Sequence, residues 1–215
     1  MLFKGYLDYI FMLNQQDQWN KLYKNNLRWN RETKDIPKIL SRKTVLELGV
    51  GNGKTLKSIL SQKPKRIIAL DFSSESLKII NKEYPNIRTI NSNITSIPLE
   101  DNHFDVVMCY FTLNNLLKKD RVLAIKEIYR VLKNKGVLLF QDFSVGDFRQ
   151  RGSNSQIESN TIQNKNGIIC HFFEEEEIKD LLKQFKSIKI KTQVSTPIKS
   201  NTLLQRKTIS VIAVK

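Results

Sequence analysis

Glu47, Gly49, Gly51 and Gly53 lie in the stretch VLELGVGNGKT, residues 45–55, where an acidic residue inside an apolar run precedes glycines at a spacing of two. Three nucleotide-handling turns compete for such a stretch. A phosphate loop needs four residues between its first glycine and Gly-Lys-Ser/Thr, so that backbone N–H groups encircle the phosphates. Here only three residues separate Gly49 from Gly53-Lys54-Thr55. A dinucleotide fingerprint wants a third glycine that lets the following helix pack on the sheet, and Lys54 stands in its place. The remaining reading is a turn that brings backbone close to a bulky ligand without gripping phosphate. Eighteen residues after Gly53, Asp71 closes the apolar run RIIALD. If the two runs are neighbouring strands, its carboxylate points into the same crevice, where it either accepts from two ribose hydroxyls or serves only as a cap of the next helix.

These residues have to be positioned by a regular alternation of elements. TVLELGV, RIIALDFS, IRTINSN, FDVVMCYF and GVLLFQDF read as strands. Between them GKTLKSILSQ, SESLKIINKEY and KDRVLAIKEIYRVLK show apolar residues at helical spacing, with Ser73 or Ser74 as an N-cap and Gly136 as a C-terminal stop. Strands separated by such helices form right-handed crossovers and a parallel sheet. After one more helix, EEEEIKDLLKQF, the stretches SIKIKTQVS and KTISVIAVK have no helix between them and must pair as an antiparallel hairpin. The expected fold is α/β and doubly wound: a Rossmann-like, seven-stranded, mostly parallel sheet with a C-terminal antiparallel hairpin and helices on both faces. RQRGSNSQIESNTIQNKNG, residues 149–167, reads as the one long polar loop, and loops of that length are usually functional or mobile.

The acidic-x-Gly-x-Gly-x-Gly motif, Asp71, and the later segment SNITSIPLEDNHFDVV resemble the class I S-adenosylmethionine-dependent methyltransferases over about residues 42–140. The resemblance implies that S-adenosylmethionine binds and S-adenosylhomocysteine is the product. It places Glu47 beside the methionine end, the turn Gly49, Gly51, Asn52 and Gly53 around the ligand, Asp71 on the ribose, and Phe72 against the adenine. Asn93 stands where the family typically has Asp, able to accept from the adenine amine without charge; Ile94 and Tyr110 complete that set. No metal is implied. The acceptor rim falls to Tyr110, Phe111, Asn114 and Asn115 after the fourth strand and Gln141, Asp142 and Phe143 on the fifth. Asn114 and Asn115 either orient a polar acceptor or cap the next helix. Asp142 is a general base, a partner for an exocyclic amine, or a counter-charge to Arg149 or Arg151.

A fainter resemblance joins Trp19-Asn20-x-x-Tyr23-Lys24, QDFSVGDFRQR, QNKNGIICHFF and LLQRKTISVIAVK to the tRNA 3-methylcytidine methyltransferases. It implies an RNA base flipped into the pocket and held by aromatic side chains and arginine, such as Phe143, Arg149 and Arg151. The stretch NNLRWNRETKDIP departs from that branch, and no dedicated RNA-binding extension is visible. A methyltransferase for a small molecule or protein side chain, and a SAM-binding subunit without turnover, stay open beside it.

The chain of 215 residues suits one globular domain, read as an N-terminal helical lid or cap over residues 1–40 and a methyltransferase domain over 41–215. The opening MLFKGYLDYIFML reads as an amphipathic helix; Trp19, Tyr23 and Trp29 follow as anchors on the core. A net charge of +15 favours polyanionic partners such as tRNA or another nucleic acid, though the positive residues are scattered. No apolar run reaches the roughly 18 residues that cross a bilayer, so a membrane is not an expected partner. Cys109 and Cys170 are the only cysteines, Cys109 reading as a buried thiol and His103 as solvated, and a cytoplasmic location is expected.

Overall fold

The computed structural model describes residues 14–25, 36–151, 155–195 and 204–215. The expected opening helix over residues 1–13 and Trp29 lie outside them. A helix α1 covers 14–24. The core alternation then runs β1 (Thr44–Leu48), α2 (Leu56–Leu60), β2 (Arg66–Asp71), α3 (Ser74–Glu83), β3 (Arg88–Asn91), β4 (Phe104–Tyr110), α4 (Lys118–Val131) and β5 (Leu132–Phe143). It is followed by β6 (Ser155–Glu158), β7 (Thr161–Gln163), β8 (Ile169–His171), α5 (Glu175–Leu181), β9 (Ser187–Ser195) and β10 (Arg206–Val214).

Seven strands form one sheet in the order β3-β2-β1-β4-β5-β10-β9. The first five are parallel, and β10 runs antiparallel to both β5 and β9. The central strands β1, β2 and β4 are apolar almost throughout because both their faces are covered. Leu46, Leu48, Val107 and Cys109 pack with Ile125 and Ile128 of α4 and Ile178 of α5. Val45, Ala69, Val106 and Met108 pack on the other face with Ile59 of α2 and Ile80 of α3. Alternation along β1 puts Glu47 on the face of Val45, as the one charged residue of that strand. From β1 the chain winds one way through β2 to β3, then crosses back to β4, so β1 and β4 part at their carboxyl ends and leave the crevice characteristic of such switch points.

Two local expectations are corrected. Helix α4 stops at Val131, five residues before Gly136, and the chain enters β5 at once. Phe104 pairs with Leu132 but Val106 with Val137, so the Asn-Lys-Gly segment is a bulge, with Lys135 at φ +63. The polar stretch 149–167 is not a loop throughout: it supplies β6 and β7, which join β8 in a three-stranded antiparallel sheet. Its turns are made at Asn160 (φ +53) and Gly167 (φ +76), where the Asn164 side chain accepts from the amides of Asn166 and Ile168.

A buried ionic network fastens this small sheet to the main body. Arg121, 2% exposed, donates to the Leu116 carbonyl (2.8 Å) and to Glu177 (3.2 Å). Glu177 meets His171 Nε2 at 2.8 Å, and the other ring nitrogen lies 2.7 Å from the Thr161 hydroxyl. Replacing Arg121 with Ala leaves the Leu116 carbonyl without its donor and Glu177 without its arginine partner, and we expect it to lower stability in urea unfolding by about 3 kcal/mol.

Candidate functional site

The glycine turn hangs on the neighbouring strand. Gly49 and Val50 both donate to the Leu70 carbonyl, at 2.8 and 3.2 Å. Gly49, Gly51 and Gly53 have φ of +68, +54 and +75, a region that only glycine enters without strain. A Cβ on Gly49 would stand 2.2 Å from the Thr112 hydroxyl, and one on Gly51 would stand 2.7 Å from the Tyr23 hydroxyl. The glycines thus admit protein groups as well as making the turn, a reason the sequence did not reveal.

Asp71 clamps that turn. It is buried, and its two oxygens accept from the amides of Gly51 and Ser73, each at 2.8 Å. Ser73 is the N-cap of α3, accepting from the amide of Ser76, so Asp71 stands beside the cap without being it. Burial pushes its carboxyl up, against the pull of these amides. The Ser76 side chain and the Phe72 backbone add to that opposing pull.

Glu47 is 4% exposed, and its Oε2 is buried with no hydrogen-bond partner. Burial, and then the nearby Asp71, push its carboxyl up to about 8. A carboxyl buried this deeply keeps its proton near neutral pH, and a cation brought beside it would favour the ionised form. The Asn52 Oδ1 is a second buried acceptor without a partner in the same turn. Phe72 is half-buried, Ile94 buried and Tyr110 half-buried at the tip of β4. The Asn93 side-chain oxygen accepts from the amide of Thr95 in a local turn, and Asp71 O accepts from Ser92 N next to it. All the residues of the expected ligand set therefore gather at the carboxyl ends of β1 to β4.

Helix α1 lies within the segment read from the sequence as a helical lid or cap, with Tyr23 as an anchor on the core. Gln16 donates to the Phe72 carbonyl (2.5 Å), Asn20 accepts from the Ser73 hydroxyl (2.7 Å), and Tyr23 is buried over Gly51. Burial, and then Asp71, raise the Tyr23 hydroxyl well above the usual phenol range. On its other side Gln15 bonds Gly167 and Ile169, reaching the small sheet. The recurrence of Gln16, Asn20 and Tyr23 at helical spacing was the available signal.

On the acceptor side Asp142 is fully buried, and its oxygens accept from the amides of Asn114 and Phe143, both at 3.0 Å. Burial pushes it well up, Arg121 being among the groups that oppose. Arg149 pairs with Asp147 rather than with Asp142. Asn115 donates to the Phe111 carbonyl and Asn114 to Cys170 Sγ (3.7 Å). Neither asparagine caps α4, whose first amide is served by Glu158. The Asn114 Oδ1 is left buried and unpaired. Cys109 is buried, and half-buried His103 lies by Glu100 at the opposite end of β4.

Residues 46–140 match a family model described as a methyltransferase domain. An uncharacterized methyltransferase of Schizosaccharomyces pombe is 41% identical over 95 residues, 44% of this chain and 37% of that protein. A tRNA N(3)-methylcytidine methyltransferase of the same yeast is 27% identical over 189 residues, 77% of this chain and 76% of that one. Among solved structures, a Burkholderia thailandensis 1,6-didemethyltoxoflavin-N1-methyltransferase with bound S-adenosylhomocysteine superposes with a TM-score of 0.72 at 17% identity, covering 96% and 89% of the two chains. Among the described residues no helix is long and apolar enough to cross a membrane.

The folded protein holds the Glu47 proton to about pH 8, while the unfolded chain releases it near the ordinary 4.5. Stability therefore falls as pH rises through that window. Glutamine has no proton to lose, so Glu47→Gln should melt about 5 °C or more above the native protein at pH 9, the gap closing toward pH 5 in circular-dichroism melts.

Proposed function

Because residues 46–140 form a class I S-adenosylmethionine-dependent methyltransferase domain, we propose that the protein transfers a methyl group from that cofactor to a ring nitrogen of an RNA base, tRNA being the favoured carrier. The observation that carries the reading is the buried, unpaired carboxylate of Glu47 beside Asp71 in the glycine turn. S-adenosylmethionine fits these residues, being a nucleoside with a sulfonium and an ammonium and no phosphate. When bound it supplies a methyl group on a positive sulfur, open to in-line displacement with a neutral leaving group.

The chain's own part is binding and alignment. Glu47 faces the cationic amino-acid end, Asp71 takes the ribose hydroxyls, and Phe72, Asn93 and Ile94 border the adenine. Helix α1, over Gly51 and Phe72, caps the crevice and keeps water from it. Asp142 is a positioning residue: it holds the turn at Asn114, whose unpaired Oδ1 takes an exocyclic amine of the acceptor base.

The RNA reading draws support from the yeast tRNA methyltransferase, similar over most of both chains. A small free heterocycle is the second reading, favoured by the structural neighbour that holds 1,6-didemethyltoxoflavin. Both acceptors are planar and heteroaromatic. Incubation with S-adenosylmethionine and unmodified tRNA, followed by digestion and mass spectrometry of nucleosides, should yield one methylated nucleoside. Unmodified RNA from an active preparation would leave the free heterocycle. Independently, Asp71→Asn should weaken S-adenosylhomocysteine binding about tenfold or more in calorimetry, through loss of a charged acceptor; unchanged affinity would remove Asp71 from the ribose.

A further inference from the structure

Four of the five parallel strands carry a basic residue at or beside their first position. Lys43 precedes Thr44 of β1, Lys65 precedes Arg66 of β2, Arg88 opens β3, and Lys133 follows Leu132 of β5, while β4 is entered from His103. The strands run parallel in the order β3-β2-β1-β4-β5, with Thr44 opposite Arg66 and Ile68 opposite Arg88. These residues therefore form a row at the end of the sheet opposite the glycine turn. Neighbouring strands stand roughly 4.8 Å apart, so the row from β3 to β5 is about 19 Å long.

Acidic neighbours take up part of its charge. Asp105 accepts from Lys133 Nζ (2.9 Å) and from the Thr44 amide (2.8 Å). Arg130 is held by Glu127 (2.8 Å) and Asp101 (2.6 Å). Lys65, Arg66 and Arg88 are exposed, and among the described residues their side chains have no hydrogen-bond or ion-pair partner. Two grooves open on this edge, and Arg66 and His103 line both. One, of about 440 Å³, takes in Thr44, Lys65, Asn102 and Lys133. The other, of about 670 Å³, takes in Arg88, the acids Glu100 and Asp101, and the aliphatic Ile97, Pro98 and Leu99. Of these three Pro98 is exposed, Leu99 half-buried and Ile97 buried.

This lining discriminates among polyanions. A nucleic-acid strand carries a charge at every unit and gains from rings on which its bases stack. His103 is the one ring among the lining residues, and it already stands edge-on to Phe104, with centroids 4.9 Å apart. Glu100 and Asp101 would meet a phosphate as like charges. An extended polypeptide instead directs alternate side chains to opposite sides, so its carboxylates and its aliphatic residues can face different parts of one groove.

We propose that this edge of the main sheet is a docking surface for an acidic, aliphatic segment of a partner protein, about six residues of it lying extended across the starts of β3 to β5. Its carboxylates meet Lys65, Arg66 and Arg88, and its aliphatic side chains cover Pro98 and Leu99. Opposite charge speeds the encounter and fixes the register. The surface stands roughly 20 Å from the crevice, the length of the seven residues of β4, so a docked segment leaves the cofactor crevice open.

The test is fluorescence anisotropy with a labelled peptide of alternating glutamate and leucine, about eight residues long so that it exceeds the roughly six that the row accommodates. Native protein, Arg66→Gln, Arg66→Glu and Arg88→Glu are compared with Lys189→Glu, which reverses an exposed charge on β9 instead. Circular-dichroism melts establish that each variant is folded. The native protein should bind the peptide, Arg66→Gln about threefold more weakly and each Glu variant of the row about tenfold or more, with Lys189→Glu within about twofold of native. A peptide with serine in place of leucine should bind about fivefold more weakly or worse, having lost its apolar contact. Absence of peptide binding by the native protein, an equal loss in Lys189→Glu, or indifference to the serine exchange would overturn the surface. So would an RNA strand of equal charge that displaces the peptide and loses affinity in the same Glu variants, which would assign the edge to nucleic acid.

Discussion

Burying two carboxylates side by side is the constraint around which this molecule is arranged. Glu47 lies near the end of β1 and Asp71 ends the neighbouring parallel strand β2, in a sheet covered on both faces, and a charge removed from water is costly unless something replaces the water. For Asp71 the replacement is internal: two amides, one from the glycine turn and one from the cap of α3, take its oxygens. Glu47 has no such provision on one oxygen and keeps its proton to about pH 8. On the proposed function, the cationic end of the cofactor is the group that would meet this carboxyl.

The rest of the architecture brings groups to that point. The reversal of winding between β3 and β4 opens the sheet beside β1, and Thr112 closes the near wall by donating to the Leu48 carbonyl. Helix α1 adds Tyr23 over Gly51 and, through Gln15, ties the cap to the small sheet. Helix α1 thus touches both the glycine turn and the small sheet. Across β5, Asp142 and Asp147 do similar work, each a buried carboxylate that fixes backbone amides and through them sets the residues of the rim.

The sheet was legible because buried parallel strands are apolar on both faces, and an acidic residue or a glycine triplet within such runs stands out. The C-terminal pair was legible from what was missing, since two strands without a helix between them have only one way to pair. The small sheet was hidden because β6 and β7 are short and polar, and their order comes from turns at Asn160 and Gly167 and from pairing with β8, which is distant contact rather than local pattern. Helix α4 misled at its end for a related reason: Gly136 resembles a stop, but strand pairing with Phe104 claims the chain from Leu132 onward. Asp71, Asp142 and Asp147 were visible as acids, yet their work as acceptors of backbone amides depends on where the loops fold, which residue type alone does not specify. The basic row at the strand starts was visible only as scattered charge, because Arg88, Lys43 and Lys133 are brought into line by the order of the strands.

The most direct measurement is calorimetric titration of the native protein with S-adenosylmethionine at pH 7, in buffers of differing ionisation enthalpy. A cation settling beside Glu47 should draw its proton off, so the apparent heat should vary with the buffer in the sense of proton release, approaching one proton per site, and ATP under the same conditions should give no binding heat. Binding with no proton released, or binding of ATP in place of S-adenosylmethionine, would contradict the account.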